Sequence, residues 1–318
     1  MSQKIAVLLG GLSAERAVSL VSGQAIITAL SEDGYDVTPI DAATNLWEQL
    51  IFAKPDVIIN ALHGEWGEDG RVQAVLDLYG KPYSHSGVMA SALAMDKHRS
   101  KAVMRDAGIT VAAHRLVPIA EAARTHVLPV PYVIKPNAQG SSVGIYLVHD
   151  ASVPPPQEML DNDDMGANIM GEWVMVEQYA PGRELTVSVM DGRALCVTEI
   201  VPKTDWYDYE AKYSAGGSVH EIPANIPAAA TELAMEWAVL AHNALGCRGV
   251  SRSDFRFDDR NLSKNPKKSD IVNKMVMLEL NTQPGMTPTS LVPEQAAHVG
   301  LSFKALCRWM VEDASWPR

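Results

Sequence analysis

Residues 4–11, Lys4-Ile5-Ala6-Val7-Leu8-Leu9-Gly10-Gly11, are a short β-rich apolar run that ends in two glycines. Val18, Val21, Ala25, Ile26, Ala29 and Leu30 then recur on one helical face, so the opening reads as a strand, a glycine turn and a helix. A second such unit runs from Asp36 to Ile40 through the helix-like Asn45 to Phe52. A third apolar strand, Val57 to Leu62, leads into His63-Gly64-Glu65-Trp66-Gly67-Glu68-Asp69-Gly70. Alternating β and α segments with apolar strands predict a parallel sheet covered on both faces. Ligands of such sheets bind outside the carboxyl ends of the strands, where the Gly10 to Arg16 and His63 to Gly70 loops fall.

Beyond residue 85 the rhythm changes. Val88 to Ala107 reads as one helix closed by Gly108, and the strands that follow are shorter and pair as hairpins, which predicts a domain boundary near residue 95. Pro131 to Lys135 and Val143 to Val148 flank the small, polar loop Pro136 to Ser142. Glu184 to Met190 and Arg193 to Ile200 are joined by Asp191-Gly192, a hairpin signal. Pro202 to Ser218 is long, aromatic and charged, as a compact functional loop would be. Leu233, Trp237, Leu240 and Ala244 mark a helix stopped by Gly246. Val250 to Phe257 and Lys274 to Asn281 are two strands, and Leu306, Trp309 and Met310 form the stripe of a C-terminal helix.

The composition narrows the function. The chain has 318 residues, 47% hydrophobic and 20% charged, enough to bury a real core. Its 27 basic against 38 acidic residues give −11, which argues against a nucleic-acid binder. Cys196, Cys247 and Cys307 are odd in number and widely spaced, so neither a disulfide framework nor a zinc site is indicated. With no signal-peptide pattern and no apolar stretch of membrane length, a cytoplasmic protein away from membranes is expected.

The most informative chemistry lies on the last two strands. Side chains alternate along a strand, so Arg252 and Asp254 share a face, as do Glu279 and Asn281. If the strands are antiparallel neighbours, these four groups converge, and carboxylates with an amide oxygen are hard ligands suited to Mg²⁺. A solvent-facing polar stripe with an Arg/Asp ion pair is the other reading of the same spacing. Lys97 opens a helix-like run, and Lys135 ends a strand before Gly140-Ser141-Ser142-Val143-Gly144. Backbone N–H groups of such a loop can cradle phosphate oxygens beside a lysine, although a plain hairpin tip has the same composition.

Taken together and in order, these strings resemble the D-alanine:D-alanine ligases of the ATP-grasp superfamily. The resemblance rests on Leu8-Leu9-Gly10-Gly11 with Ser13-Ala14-Glu15-Arg16, Ala61-Leu62-His63-Gly64 with Gly67-Glu68-Asp69-Gly70, and Ser86 to Leu93. It continues through Met95-Asp96-Lys97, Lys135-Pro136 with Gly140 to Gly144, Tyr207 to Tyr213, and Glu279 to Thr287, nearly the whole chain. It implies an α/β protein with an N-terminal parallel-sheet (pre-ATP-grasp) domain, 1–95, followed by the two ATP-grasp subdomains, 96–180 and 181–318. The implied reaction activates one D-alanine carboxylate as an acyl phosphate at the expense of ATP and lets the amine of a second D-alanine attack it, for peptidoglycan synthesis.

The same resemblance implies residue roles. Lys97, Lys135 and Ser142 would hold phosphates, with Glu177 and Ala180 on adenine and Glu184 on ribose. Asp254, Glu279 and Asn281 would bind Mg²⁺ or Mn²⁺, two ions in all. Glu15 would pair with the ammonium of the first D-alanine, although an acid at a helix entrance is also favoured by the helix dipole. His63 would contact its carboxylate, or be merely structural. Arg252 and the Gly285 N–H would stabilise the tetrahedral oxyanion, and Ser290 with Lys212 would bind the second carboxylate. Ser141 and Tyr213 would close the loop over the site, and the protein would be a homodimer. Three departures stand out: Asp259 to Asn273, with Lys264, Lys267 and Lys268, is longer and more basic than expected and reads as a solvated hairpin extension rather than a partner site, the region between Val148 and Val174 is shorter than expected, and the hinge is Gln178-Tyr179-Ala180. A D-alanine:D-lactate-type ligase is one alternative. A dinucleotide-dependent oxidoreductase, suggested by Gly10-Gly11 but lacking GxGxxG, is another.

Overall fold

The structure, a computed structural model, describes residues 2–140, 144–161, 170–202 and 218–317. Its first sheet is three-stranded and parallel in the order β2-β1-β3, with β1 at Lys4–Leu9, β2 at Asp36–Asp41 and β3 at Val57–Asn60. Strand alternation sorts its core: Ile5 and Val7 pack with Ile26 and Leu30 of α1 (Arg16–Glu32), and Ala6 and Leu8 pack with Leu50 and Leu76 on the other face. Leu50 belongs to α2 (Leu46–Ala53) and Leu76 to α3 (Arg71–Tyr79).

The apolar stripe expected along α1 is split. Ile26, Ala29 and Leu30 are buried, but the first half of the helix buries Ser19, Ser22 and Gly23. Ser19 Oγ donates to the Ala61 carbonyl at 2.8 Å, and Ser22 Oγ lies 3.1 Å from His63 Nε2. Val18 and Val21 turn instead to a cavity.

Val88 to Ala107 is two helices rather than one, α4 (Val88–Met95) and α5 (Lys97–Asp106). Asp96 breaks the run: its backbone is extended, at φ −78 and ψ 96, and its side chain caps the new helix by accepting from Arg99 N at 2.9 Å.

A four-stranded antiparallel sheet follows in the order β4-β7-β5-β6: β4 is His114–Pro118, β5 Tyr132–Pro136, β6 Tyr146–Val148 and β7 Trp173–Gln178. The β5–β6 hairpin is as expected, with a second strand shorter than Val143 to Val148. Ile119–Ala122 forms α6 beside it. The last sheet has five antiparallel strands in the order β10-β9-β8-β11-β12. They are β8 (Arg183–Met190), β9 (Arg193–Pro202), β10 (Ser218–Glu221), β11 (Val250–Phe257) and β12 (Met275–Asn281). Asp191 and Gly192 both adopt left-handed φ, 52 and 67, as the tight β8–β9 turn requires.

The helix Ala228–Ala244, α7, covers this sheet with Leu233, Ala234, Trp237, Ala238 and Ala241, while Ala244 of the expected stripe is exposed. Phe255 and Phe257 in the same core are both 0% exposed, and burial of such a side chain is worth roughly 1.5–3 kcal/mol each. Ala90, Ala94 and Met104 from α4 and α5 join it. The basic extension is not wholly solvated: Lys264 and Lys267 are exposed, but Lys268–Ile271 forms a short helix, α8, whose Ile271 is buried in the core. Two terminal helices, α9 (Leu291–His298) and α10 (Phe303–Asp313), return to the first sheet, with Leu306 and Met310 against Ile5 and Val7.

Candidate active site

Three adjoining cavities of about 530, 330 and 80 Å³ run along the seams between the sheets. Glu184 on β8 lines all three, and Asp254 and Glu279 line the largest and the smallest.

The antiparallel register of β11 and β12 sets Asp254 opposite Glu279 and Arg252 opposite Asn281, the convergence that strand alternation predicts. Asp254 accepts from Thr186 Oγ1 at 2.6 Å, from Arg252 Nε at 3.0 Å and Nη2 at 2.9 Å, and from Asn281 Nδ2 at 3.3 Å. Like charges directly opposed across a sheet are destabilising. Arg252 on Asp254 and Lys97 Nζ, 3.1 Å from Glu279, offset that repulsion. Two carboxylates and an amide oxygen facing a cavity form a hard oxygen donor set, which fits Mg²⁺ or Mn²⁺.

Beside the smallest of the three cavities, Lys97 Nζ donates to the Gln139 carbonyl at 2.6 Å, and Lys135 Nζ donates to Glu177 at 2.7 Å. The second oxygen of Glu177 lies 2.6 Å from Lys101 Nζ. Burial alone would raise the Glu177 pKa, but Lys101 and Lys135 outweigh it and hold the carboxyl at about 2. Glu177 lines the second cavity with Ala180, and its two oxygens each meet a lysine. Arg256 reaches Glu184 at 3.3 Å and donates to the Ala180 carbonyl at 3.2 Å, tying the hinge to β11.

On the other side, Glu15 stands at the entrance of α1, and its backbone N–H donates to Ser13 Oγ at 3.2 Å. Ser13 Oγ in turn donates to the His63 carbonyl at 2.6 Å. His63 is 4% exposed, held between Ser22 and Glu68 Oε1, the latter at 3.3 Å. A Cβ at Gly140 would lie 3.0 Å from Glu15 Oε1, so the loop after β5 comes down onto the first domain. Ser290 opens α9 and accepts from Thr287 N at 3.0 Å; a Cβ at Gly285 would lie 2.9 Å from its Oγ. Ala17, Val18 and Val21 give this cavity an apolar wall.

The structure therefore brings together Glu15, His63, Arg252, Gly285, Ser290, Asp254, Glu279 and Asn281 around the large cavity, and Lys97, Lys135, Glu177, Ala180 and Glu184 around the other two. Ser141, Ser142, Lys212 and Tyr213 lie outside the described residues. Three features escaped the sequence reading. Lys101 is one helical turn after Lys97, and Arg256 continues the alternation of Arg252 and Asp254, so both had a local signal. His220, in the wall of the large cavity, pairs at 2.6 Å with Glu294, 74 residues away, and this pair had none.

Among solved structures, a D-alanine–D-alanine ligase from Bacillus anthracis complexed with ATP superposes with a TM-score of 0.78 at 28% identity, covering 98% of this chain and 97% of that one. In fold the protein is an ATP-grasp ligase. The profile described as the D-ala D-ala ligase C-terminus matches residues 103–312, and that of the N-terminus matches 4–50. The D-alanine–D-alanine ligases of Roseobacter denitrificans and of a Ruegeria species are 55% and 54% identical over 316 residues, 99% of this chain and 93% and 97% of theirs. The chain belongs to the D-alanine–D-alanine ligase family. It is an ATP-dependent enzyme that joins D-alanine to D-alanine. The oxidoreductase alternative also fails on geometry, since Gly10 packs against the Arg16–Asp41 ion pair rather than forming an open phosphate turn.

Proposed function

We propose that the cavities around Glu184 divide the labour of one reaction, with ATP along the second and third and the two D-alanines in the first. The carrying observation is the position of the Asp254–Glu279 pair, with Lys97 and Lys135 on one side and the Glu15 carboxylate on the other. Lys97 and Lys135 neutralise phosphate oxygens as the first D-alanine carboxylate attacks the γ-phosphorus and ADP leaves. Asp254, Glu279 and Asn281 would hold Mg²⁺ or Mn²⁺, two ions in all, which would supply charge neutralisation of the transferring group. The hinge meets the adenine through backbone groups near Ala180, with Glu184 on the ribose.

Glu15 pairs with the ammonium of the first D-alanine, His63 contacts its carboxylate, and Ala17, Val18 and Val21 offer its methyl group an apolar surface. The amine of the second D-alanine then attacks the acyl carbon, and Arg252 with the Gly285 N–H stabilises the oxyanion before phosphate departs. Ser290 and Lys212 take the second carboxylate, while Ser141 and Tyr213 keep water from the acyl phosphate. Among the described residues no helix is long and apolar enough to cross a membrane. A cytoplasmic homodimer serving cell-wall and cell-shape maintenance completes the proposal. The test is ADP release with product analysis in mixtures of ATP, Mg²⁺, D-alanine and D-lactate. D-alanyl-D-alanine as the product supports this reading, and depsipeptide as the main product overturns it.

A further inference from the structure

Lys101 lines none of the three cavities, yet it is one of the most buried charged groups among the described residues, 0% exposed. A lysine out of water is costly unless it is paired and hydrogen-bonded. Lys101 has both: Glu177 Oε1 at 2.6 Å, and the carbonyl of Met277, two residues before Glu279 on β12, at 3.2 Å. The other Glu177 oxygen holds Lys135 at 2.7 Å, and Lys135 borders the second and third cavities. The order from inside outward is thus Lys101, Glu177, Lys135, cavity. His114 lies close enough to feel Lys101 and Glu177; burial lowers its pKa, so it is neutral near pH 7 and leaves the charge sum unchanged.

That sum decides what a phosphate meets. A Glu177–Lys135 pair alone would be neutral, and the carboxylate would cancel most of the attraction that the lysine offers. With protonated Lys101 behind the carboxylate these three groups carry +1, and the excess lies on the side facing the cavity, while Glu279, the other carboxylate acting on Lys101, is balanced by Lys97 at 3.1 Å. We propose that Lys101 is a positioning residue of the nucleotide site, which neutralises Glu177 from behind so that Lys135 presents an uncompensated positive charge to the phosphates in front. A single buried carboxylate thereby aims Lys135 and ties helix α5, strand β7 and strand β12 together without weakening the anion site.

The inference rests on ATP occupying the cavity beside Lys135, and the test separates the two claims. ATP and adenosine are titrated calorimetrically, without D-alanine, into the parent, Lys101→Met and the double variant Lys101→Met/Glu177→Gln. A parent that binds no ATP sinks the nucleotide reading and this inference with it. If the parent binds, Lys101→Met should weaken ATP by about tenfold or more, the size expected for one uncompensated charge nearby, and leave adenosine unchanged. Its KM for ATP should rise while that for D-alanine holds. The double variant restores +1 on Lys135 and should bring ATP affinity back to within about threefold of the parent.

Parent-like ATP binding by Lys101→Met, equal losses for ATP and adenosine, or a double variant as weak as the single would each overturn the inference. Should Lys101→Met lack a cooperative melt, the ratio of ATP to adenosine affinity in the double variant decides: a ratio within about threefold of the parent's supports the charge balance, and a ratio lowered about tenfold or more refutes it.

Discussion

Gly182, between β7 and β8, is where the two ATP-grasp sheets hinge, and Gly182→Ala tests how tightly that hinge shapes the nucleotide site. Its φ is +104, and an added Cβ would lie 2.1 Å from the Phe257 carbonyl oxygen and 2.5 Å from its carbon, both backbone atoms of β11. Ordinary contact begins near 3.4 Å, so hinge and strand must separate by roughly 1 Å. Unfavourable φ costs about 1–3 kcal/mol and the overlap a similar amount, together roughly 2–6 kcal/mol.

At roughly 1.5 °C per kcal/mol for a chain of this length, Tm should fall by about 3–9 °C. Ala180, Arg183 and Glu184 flank this glycine and line the second cavity, so kcat/KM for ATP should drop about tenfold to a hundredfold. Gly192→Ala is the control: its φ is +67 but it has nothing within 4 Å, so it should lower Tm by only a degree or two and leave the ATP kinetics intact. The assay is thermal melting with coupled ADP release at varied ATP. Parent-like ATP kinetics in folded Gly182→Ala, or equal effects of the two alanines, would refute the reasoning.

Other outcomes follow from the same geometry. Glu279→Gln should cut turnover at least about a hundredfold while Tm moves by no more than about 2 °C, because the lost Lys97 pair is offset by relief of repulsion from Asp254; an unchanged Mg²⁺ activation curve would show that the metal assignment is wrong. Glu177, with its pKa held at about 2 against an ordinary 4.5, contributes stability that is full above 4.5 and lost as pH falls toward 2. Acid melts of Lys101→Met/Glu177→Gln should accordingly be flatter than the parent's in that window. Replacing the exposed Ser263 to Asn265 with Gly and Ser should leave ligase activity intact, whereas Ile271→Ala should lower Tm by emptying a core position; activity lost in a folded loop variant would point to a partner or substrate role.

Whatever rests on local periodicity was legible in the sequence. The parallel first sheet, the β5–β6 and β8–β9 hairpins, and the shared faces of Arg252 with Asp254 and Glu279 with Asn281 all follow from spacing over a few residues, and the antiparallel register then made the four meet. The ordered motifs named the family before any fold was known. Tertiary structure decided where a local pattern had two uses or none. Val18 and Val21 fit a core stripe but line a cavity, because serines and a glycine let α1 lie close to the sheet. Asp96 could continue a helix or cap a new one, and packing of Lys97 against the loop at Asn137 selects the cap. Glu177 gained two lysines from 42 and 76 residues upstream, and His220 met Glu294 74 residues on. Such pairs leave no periodic trace, because their energy comes from charges brought together out of water, and only the packed sheets bring them together.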